Sequence, residues 1–235
     1  MHADSPSPAS LLLSRATELL DPLLNEFAFV GGQVVEFLVT SPASTTPRPT
    51  FDVDVVVPVT TRAEYAALEE SLRDSGLAHD TSESAPICRW ITSDKMVLDI
   101  MPSEEGVLGF ANRWYGDVLS QRVYHTLETG VTVPLPTAPL YLATKWEAYR
   151  DRGSADPLRS ADLEDIIAVV TGRPEIVQEI QAASPELRRW LSEQATEFLS
   201  EGMAEYAIAG TLPDAGLVPG IVEDVIGRFR TISKT

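Results

Sequence analysis

The chain holds one cysteine, Cys88, and three histidines, His2, His79 and His125, in 235 residues. A single thiol excludes an internal disulfide framework and a cysteine-built zinc site. The histidines show no paired metal-ligand spacing. Cys88 falls in a strand-like run, where a buried structural thiol is a better reading than a nucleophile. Basic residues are also scarce: 18 Lys and Arg stand against 35 Asp and Glu, a formal net charge of −17. That balance argues against broad, non-specific adhesion to nucleic acid, which needs basic surface. It leaves room for a local basic groove or for a basic protein partner. No apolar run reaches the length of a membrane span, and the N-terminus lacks a basic region followed by an apolar core. The sequence therefore reads as soluble and cytoplasmic, with no membrane partner. Internal repeats are absent, and low complexity is confined to the Thr-, Ser- and Pro-rich residues 40–50.

What is present is a pair of acids in an apolar strand. Asp52 and Asp54 stand in Thr50-Phe51-Asp52-Val53-Asp54-Val55-Val56-Val57. Residues i and i+2 of a strand share a face, so both carboxylates project together, while Phe51, Val53, Val55 and Val57 take the other face. Two like charges beside a sheet core are costly unless neutralised, and a divalent cation is an obvious candidate. A third acid, Asp99, is the lone charge in Met96-Val97-Leu98-Asp99-Ile100-Met101. If the two strands are sheet neighbours, the three acids meet. Three carboxylates on rigid strands suit Mg²⁺, whose octahedral shell at roughly 2.0–2.1 Å leaves positions for water and phosphate oxygens. Two such ions roughly 3.5–4 Å apart would serve an attacking hydroxyl and a leaving pyrophosphate. The competing reading of each acid is a strand-edge residue facing solvent.

The elements around these acids can be placed by periodicity. Ser10 to about Glu26 has helical spacing, with Pro22 as a possible interruption. Phe27–Val30 reads as a short buried strand, followed by Gly31-Gly32 and a short helix over Gln33–Val39. A turn between strand and helix lets backbone N–H groups cradle phosphate, although a Gly-Gly pair alone is equally a tight turn. Thr61-Arg62-Ala63-Glu64 is a capping box opening a helix that stops at Gly76. Ile87–Thr92 and Lys95–Met101 read as strands joined by a two-residue hairpin loop, Ser93-Asp94. From about Thr137 the pattern is helical, with helices over Pro139–Arg152, from Ser160 to Gly172, and from Ser184-Pro185 onward. The expected layout is α+β, with a core domain over 1–135 and a helical domain over 136–235.

Gly31-Gly32, Arg48-Pro49-Thr50-Phe51-Asp52-Val53-Asp54 and Asp99, in that order, resemble the DNA-polymerase-β-type nucleotidyltransferase superfamily. Within it the chain is most similar to the AbiEii-type toxin nucleotidyltransferases, which include the MenT-type enzymes. Leu142-Ala143-Thr144-Lys145-Trp146-Glu147-Ala148-Tyr149-Arg150-Asp151-Arg152-Gly153 resembles that family's lysine-containing helix. Ser160-Ala161-Asp162-Leu163-Glu164-Asp165-Ile166 resembles its later acidic motif, so that the likeness covers roughly residues 27–175. It departs from the family in Gln33-Val34-Val35-Glu36 after the glycines, and in the long Pro-rich spacing before Asp52.

The resemblance implies a polymerase-β-like mixed sheet with flanking helices, followed by a helical C-terminal half. It implies an enzyme that moves a nucleoside monophosphate from an NTP to an acceptor hydroxyl and releases pyrophosphate. Asp52, Asp54 and Asp99 would bind one or two Mg²⁺, and Gly31, Gly32 and Lys145 would hold the triphosphate. Asp162 or Asp165 would orient Lys145 or a neighbouring arginine. An RNA acceptor such as a tRNA 3′ end, and an antitoxin partner, also follow from the resemblance. A small-molecule or protein acceptor, or a catalytically silent nucleotide-binding module, are the alternatives. Read from the residues alone, Lys145 is equally a snorkelling lysine, and Asp162 and Asp165 share a helix face opposite Leu163, Ile166, Ile167 and Val170. Arg48 is either a neutralising or phosphate-binding group or a plain loop arginine. Trp90, Trp114, Tyr115 and Trp146 fit core packing better than base stacking.

Overall fold

The computed structural model describes residues 5–41, 50–153, 156–200, 202–212 and 218–235. Two compact units result, Met1–Val34 with Pro49–Thr137, and Val35–Arg48 with Ala138–Thr235. The first is α+β and the second is helical. Among the described residues, no helix is long and apolar enough to cross a membrane.

The first unit is built on a five-stranded mixed sheet of β1 (Ala28–Val30), β2 (Asp52–Val57), β3 (Ala78–His79), β4 (Arg89–Ile91) and β5 (Val97–Pro102). Its strand order is β1-β2-β5-β4-β3, with only the β2–β5 pair parallel. Period-2 alternation sorts the side chains cleanly. Phe29, Val53, Val55, Val57, Trp90, Leu98 and Ile100 are fully buried on one face. The acids take the other. Phe51 departs from this pattern: the strand begins at Asp52, no strand among the described residues pairs with the residue before it, and Phe51 is 83% exposed.

Helix α1 (Pro8–Leu20) opens with the Ser7 hydroxyl accepting from the Ser10 N–H and with Pro8 in the first turn. It ends six residues before the expected Glu26, since Pro22 lacks an N–H and its ring obstructs the preceding turn. Helix α3 (Arg62–Asp74), which follows the short helix α2 (Val35–Leu38) in the chain, carries the anticipated capping box. Thr61 accepts from the Glu64 N–H, and the Glu64 carboxylate accepts from the Thr61 N–H. Tyr65, Leu68 and Leu72 line its buried face, and Gly76 stops it at φ +86°. Two short helices follow, α4 (Glu105–Leu108) and α5 (Tyr115–Ser120), then a separate antiparallel pair, β6 (Val123–Thr126) and β7 (Thr132–Leu135). This last pair is faint in sequence, because Pro134 interrupts the ladder and all of β6 is exposed.

The loop between β4 and β5 departs from expectation by one residue, with large consequences. A two-residue loop at Ser93-Asp94 would pair Thr92 with Lys95 and, running back along the strands, Cys88 with Asp99. Instead the Lys95 N–H donates to the Thr92 carbonyl, and the Thr92 N–H donates to the Met96 carbonyl. Lys95 sits in the left-handed region at φ +73°. This is a three-residue loop, and it makes Arg89 the partner of Asp99. Ser93-Asp94 lacks the Asn-Gly or Gly-X chemistry that two-residue loops demand, so the longer turn wins. A slip of one residue would have turned Arg89 to the opposite face.

In the second unit, α6 (Ala138–Ala148) is buried from Ala138 through Trp146, as a helix apolar on nearly every side must be. It continues as a π-helical turn over Tyr149–Gly153. Around it pack α7 (Ala161–Gly172), α8 (Ile176–Ala182) and α9 (Pro185–Ser200), while α10 (Ala204–Thr211) and α11 (Ile221–Ile232) complete the unit. Trp146, Phe198 and Phe229 form an aromatic chain with ring centroids 5.8 and 5.0 Å apart. Segment 35–41 is tied to the end of α7. The N–H groups of Thr40 and Ser41 donate to the Gly172 carbonyl, and Arg173 donates to the carbonyl of Leu38 in α2.

Candidate functional site

Register brings the three sheet acids together. Asp54 is the direct partner of Asp99 across the parallel β2–β5 pair, and Asp52 lies two residues back on the same face. Asp99 is buried, while Asp52 and Asp54 are half-buried. The neutralising partner is a side chain that sequence reasoning passed over. Arg89 Nε donates to Asp99 Oδ1 at 2.8 Å and Nη2 donates to Asp99 Oδ2 at 2.7 Å. The same Nη2 reaches Asp52 Oδ2 at 3.3 Å. These hydrogen bonds to Asp99 raise the guanidinium above its ordinary pKa. Opposite charges directly across two strands were the available signal, visible only with the correct loop length.

Gly31 closes one side of the cluster. Its φ is +77°, and a Cβ there would lie 1.9 Å from Asp54 Oδ2. A Cβ on Gly32 would lie 2.6 Å from Thr50 Cγ2. Both positions require glycine for close approach, and Gly31 also for its left-handed backbone conformation. The helix expected over Gln33–Val39 is a 3₁₀ turn, Gly32–Val34, running into the one-turn α2. The Gln33 side-chain amide donates to the Thr50 carbonyl. The Thr50 hydroxyl is buried beside this turn with no hydrogen-bond partner among the described residues. A buried unmatched hydroxyl costs about 1–3 kcal/mol, so a ligand oxygen that accepted from it would recover that cost. Gly31→Ala should lower stability by about 1–2 kcal/mol from its left-handed backbone alone and should displace the Asp54 carboxylate. Urea unfolding checks this; an Ala variant as stable as the parent would refute the close-approach argument.

The helical unit holds a second charged cluster. Lys145 Nζ lies 2.7 Å from Asp165 Oδ2 and 3.3 Å from Asp162 Oδ1. Arg152 donates to both oxygens of Asp162, at 3.0 and 3.2 Å. Tyr141 donates to Asp165 at 3.4 Å. Lys145, Asp162 and Asp165 are 7%, 4% and 3% exposed. The snorkelling-lysine and solvated-acid readings are therefore both corrected. The two acids do not lie opposite the apolar stripe on a wet face, because α7 is enclosed on both sides. Both orient Lys145, and Asp162 also binds the neighbouring arginine. Burial alone would raise the Asp162 carboxyl, but Arg152 and Lys145 together outweigh it and hold the group below the usual carboxylate range.

The aromatic side chains follow the core-packing reading. Trp90, Trp114, Tyr115 and Trp146 are all buried, and Trp90 stacks on His79 with centroids 3.8 Å apart. Cys88 is buried as well, and burial chiefly pushes its thiol up to about 12. Arg48 lies outside the described residues.

Among the described residues, no group of three His, Cys, Asp or Glu side chains is set to hold a metal ion. Arg89 occupies both Asp99 oxygens and one Asp52 oxygen. The donor set itself fits a hard cation, with three carboxylates on one face of two paired strands beside a glycine turn and an unmatched hydroxyl.

No protein-family model matches the chain, and no curated protein matches it. Among solved structures it is similar to an antigenic nucleotidyltransferase-like protein from Paracoccidioides brasiliensis. The two are 20% identical over 88% of this chain and 95% of that one, with a TM-score of 0.48.

Proposed function

We propose that the chain is a Mg²⁺-dependent nucleotidyltransferase. The observation that carries this is the register of Asp54 against Asp99 with Asp52 on the same face, closed by the Gly31 turn. Asp52, Asp54 and Asp99 are the residues that would hold one or two ions. Bound magnesium would offset phosphate charge and make the acceptor hydroxyl more acidic. The backbone N–H groups of Gly31 and Gly32, with the Thr50 hydroxyl, would receive the NTP phosphates. Asp99, freed of Arg89, takes the proton of the acceptor hydroxyl in this scheme. The resulting oxygen attacks the α-phosphorus, the bond from that phosphorus to the bridging oxygen breaks, and pyrophosphate leaves.

An RNA acceptor such as a tRNA 3′ end, and a toxin's role beside an antitoxin, are the narrower part of the proposal and rest on the AbiEii-type resemblance. A small-molecule or protein acceptor is the second reading, favoured by the net charge of −17. The test is incubation with each labelled NTP, Mg²⁺ and total RNA. Label should pass to RNA, and binding of that RNA should weaken steeply with salt. Label on a protein or small molecule with a flat salt response selects the second reading. No transfer from any NTP to any of these acceptors would refute the proposal.

A further inference from the structure

The acid cluster carries its own counter-cation. Arg89 projects from β4 onto the face of Asp52, Asp54 and Asp99, and its guanidinium spans carboxylates on two different strands. The Arg89–Asp99 contact is bidentate, the strongest form of such a pair. It is also sheltered, since the Arg89 side chain is 25% exposed and that of Asp99 only 10%. The carboxylate oxygens it takes are those a hard cation would need. A guanidinium and a divalent ion cannot both sit against Asp52 and Asp99 without strong mutual repulsion at such short range.

Resting on the cation-dependent reading above, we infer that Arg89 is a built-in competitor for the metal position, bound to Asp99 and Asp52 until a divalent cation displaces it. Its release is uphill when the cation arrives alone. Release is favoured when the cation arrives with a polyphosphate, because the phosphate oxygens offer the guanidinium a replacement bidentate partner. Cation and nucleotide therefore bind with positive coupling, and each strengthens the other by the same factor. The bare cation is held weakly, because it must first displace Arg89 from Asp99 and Asp52.

The test is Mn²⁺ titration by calorimetry of the full chain, with and without a non-hydrolysable NTP analogue. Without nucleotide, Arg89→Gln should bind Mn²⁺ at least about tenfold more tightly than the parent, because a competing cation is gone. The added affinity should vanish when Asp54→Asn is combined with Arg89→Gln. With the analogue present, the advantage of Arg89→Gln should shrink. Arg89→Lys keeps one charge without the fork and should lie between the two. It also serves where the glutamine variant does not fold. In the parent protein, the Arg89 Nε–H should exchange slowly in cation-free solution and lose that protection as Mg²⁺ and analogue are added. Equal or weaker Mn²⁺ binding by Arg89→Gln would overturn the inference, as would an Nε–H that stays protected throughout. An enzyme that transfers nucleotides but shows either result refutes the competition alone. Tighter Mn²⁺ binding by Arg89→Gln without any transfer refutes the proposed reaction and leaves the competition standing.

Discussion

Asp54→Asn is expected to lower nucleotidyl transfer by about 10³-fold while leaving the protein as stable as the parent, or slightly more stable. Asparagine has the shape of aspartate, so the ladder from Val30 through residue 54 to Asp99 is preserved. What it removes is one of three negative charges on the same sheet face, of which Arg89 pairs with the other two, Asp99 and Asp52. Loss of a like charge from a crowded, partly desolvated cluster favours folding, whereas a neutral amide holds a divalent cation poorly. A loss of this size matches removal of a preorganised group that stabilises developing charge. Two measurements check it: initial rates of label transfer, and urea unfolding of the cation-free protein. A variant retaining a tenth of the parent's rate would sink the assignment of Asp54. A variant with lost activity and badly reduced stability would mean that the acid is chiefly structural.

The second large effect lies in the helical unit. Lys145→Met should destabilise the protein by about 3–5 kcal/mol, because it leaves Asp162 and Asp165 buried without their ammonium. Methionine fills nearly the same space, so the loss is electrostatic rather than a cavity effect. The urea midpoint reads it directly, and a change below about 1 kcal/mol would show that the three groups carry little net energy there. Acid should reproduce part of this loss. The folded-state pKa of Asp162 is depressed, so its contribution is fully present above the unfolded value of about 3.9 and fades as pH falls through the lower folded value. Stability of the parent should therefore decline through the acid range, and an Asp162→Asn variant, already weaker at neutral pH, should decline less. The same variants separate stability from phosphate binding, because a structural lysine alters the unfolding midpoint without altering NTP affinity.

The legible parts of the fold are those encoded locally. The α3 capping box lies within four residues, and the β2 and β5 acids stand out as charges in β-branched, apolar runs. Pro22 announces an interruption, although periodicity continued past it and made the expected α1 too long. The pair β6 and β7 was missed because one strand is wholly exposed and the other contains Pro134, so neither alternates. Phe51 was assigned to the buried face by counting along a strand that starts one residue later.

By itself the sequence determined which residue types stand where on their elements: Asp52 and Asp54 two apart on a strand, Asp99 on another, Gly31 at a turn, Lys145 on a helix. Side-chain period and local capping depend only on near neighbours, so they survive without knowledge of the fold. Only the tertiary structure decided what those residues meet. One extra residue in the Thr92–Lys95 turn placed Arg89 against Asp99, and the packing of α6 against α7 enclosed Asp162 and Asp165 around Lys145. Both outcomes depend on register and on contacts between distant segments. A single-residue slip in either strand exchanges the faces, and the side-chain period alone does not fix the register.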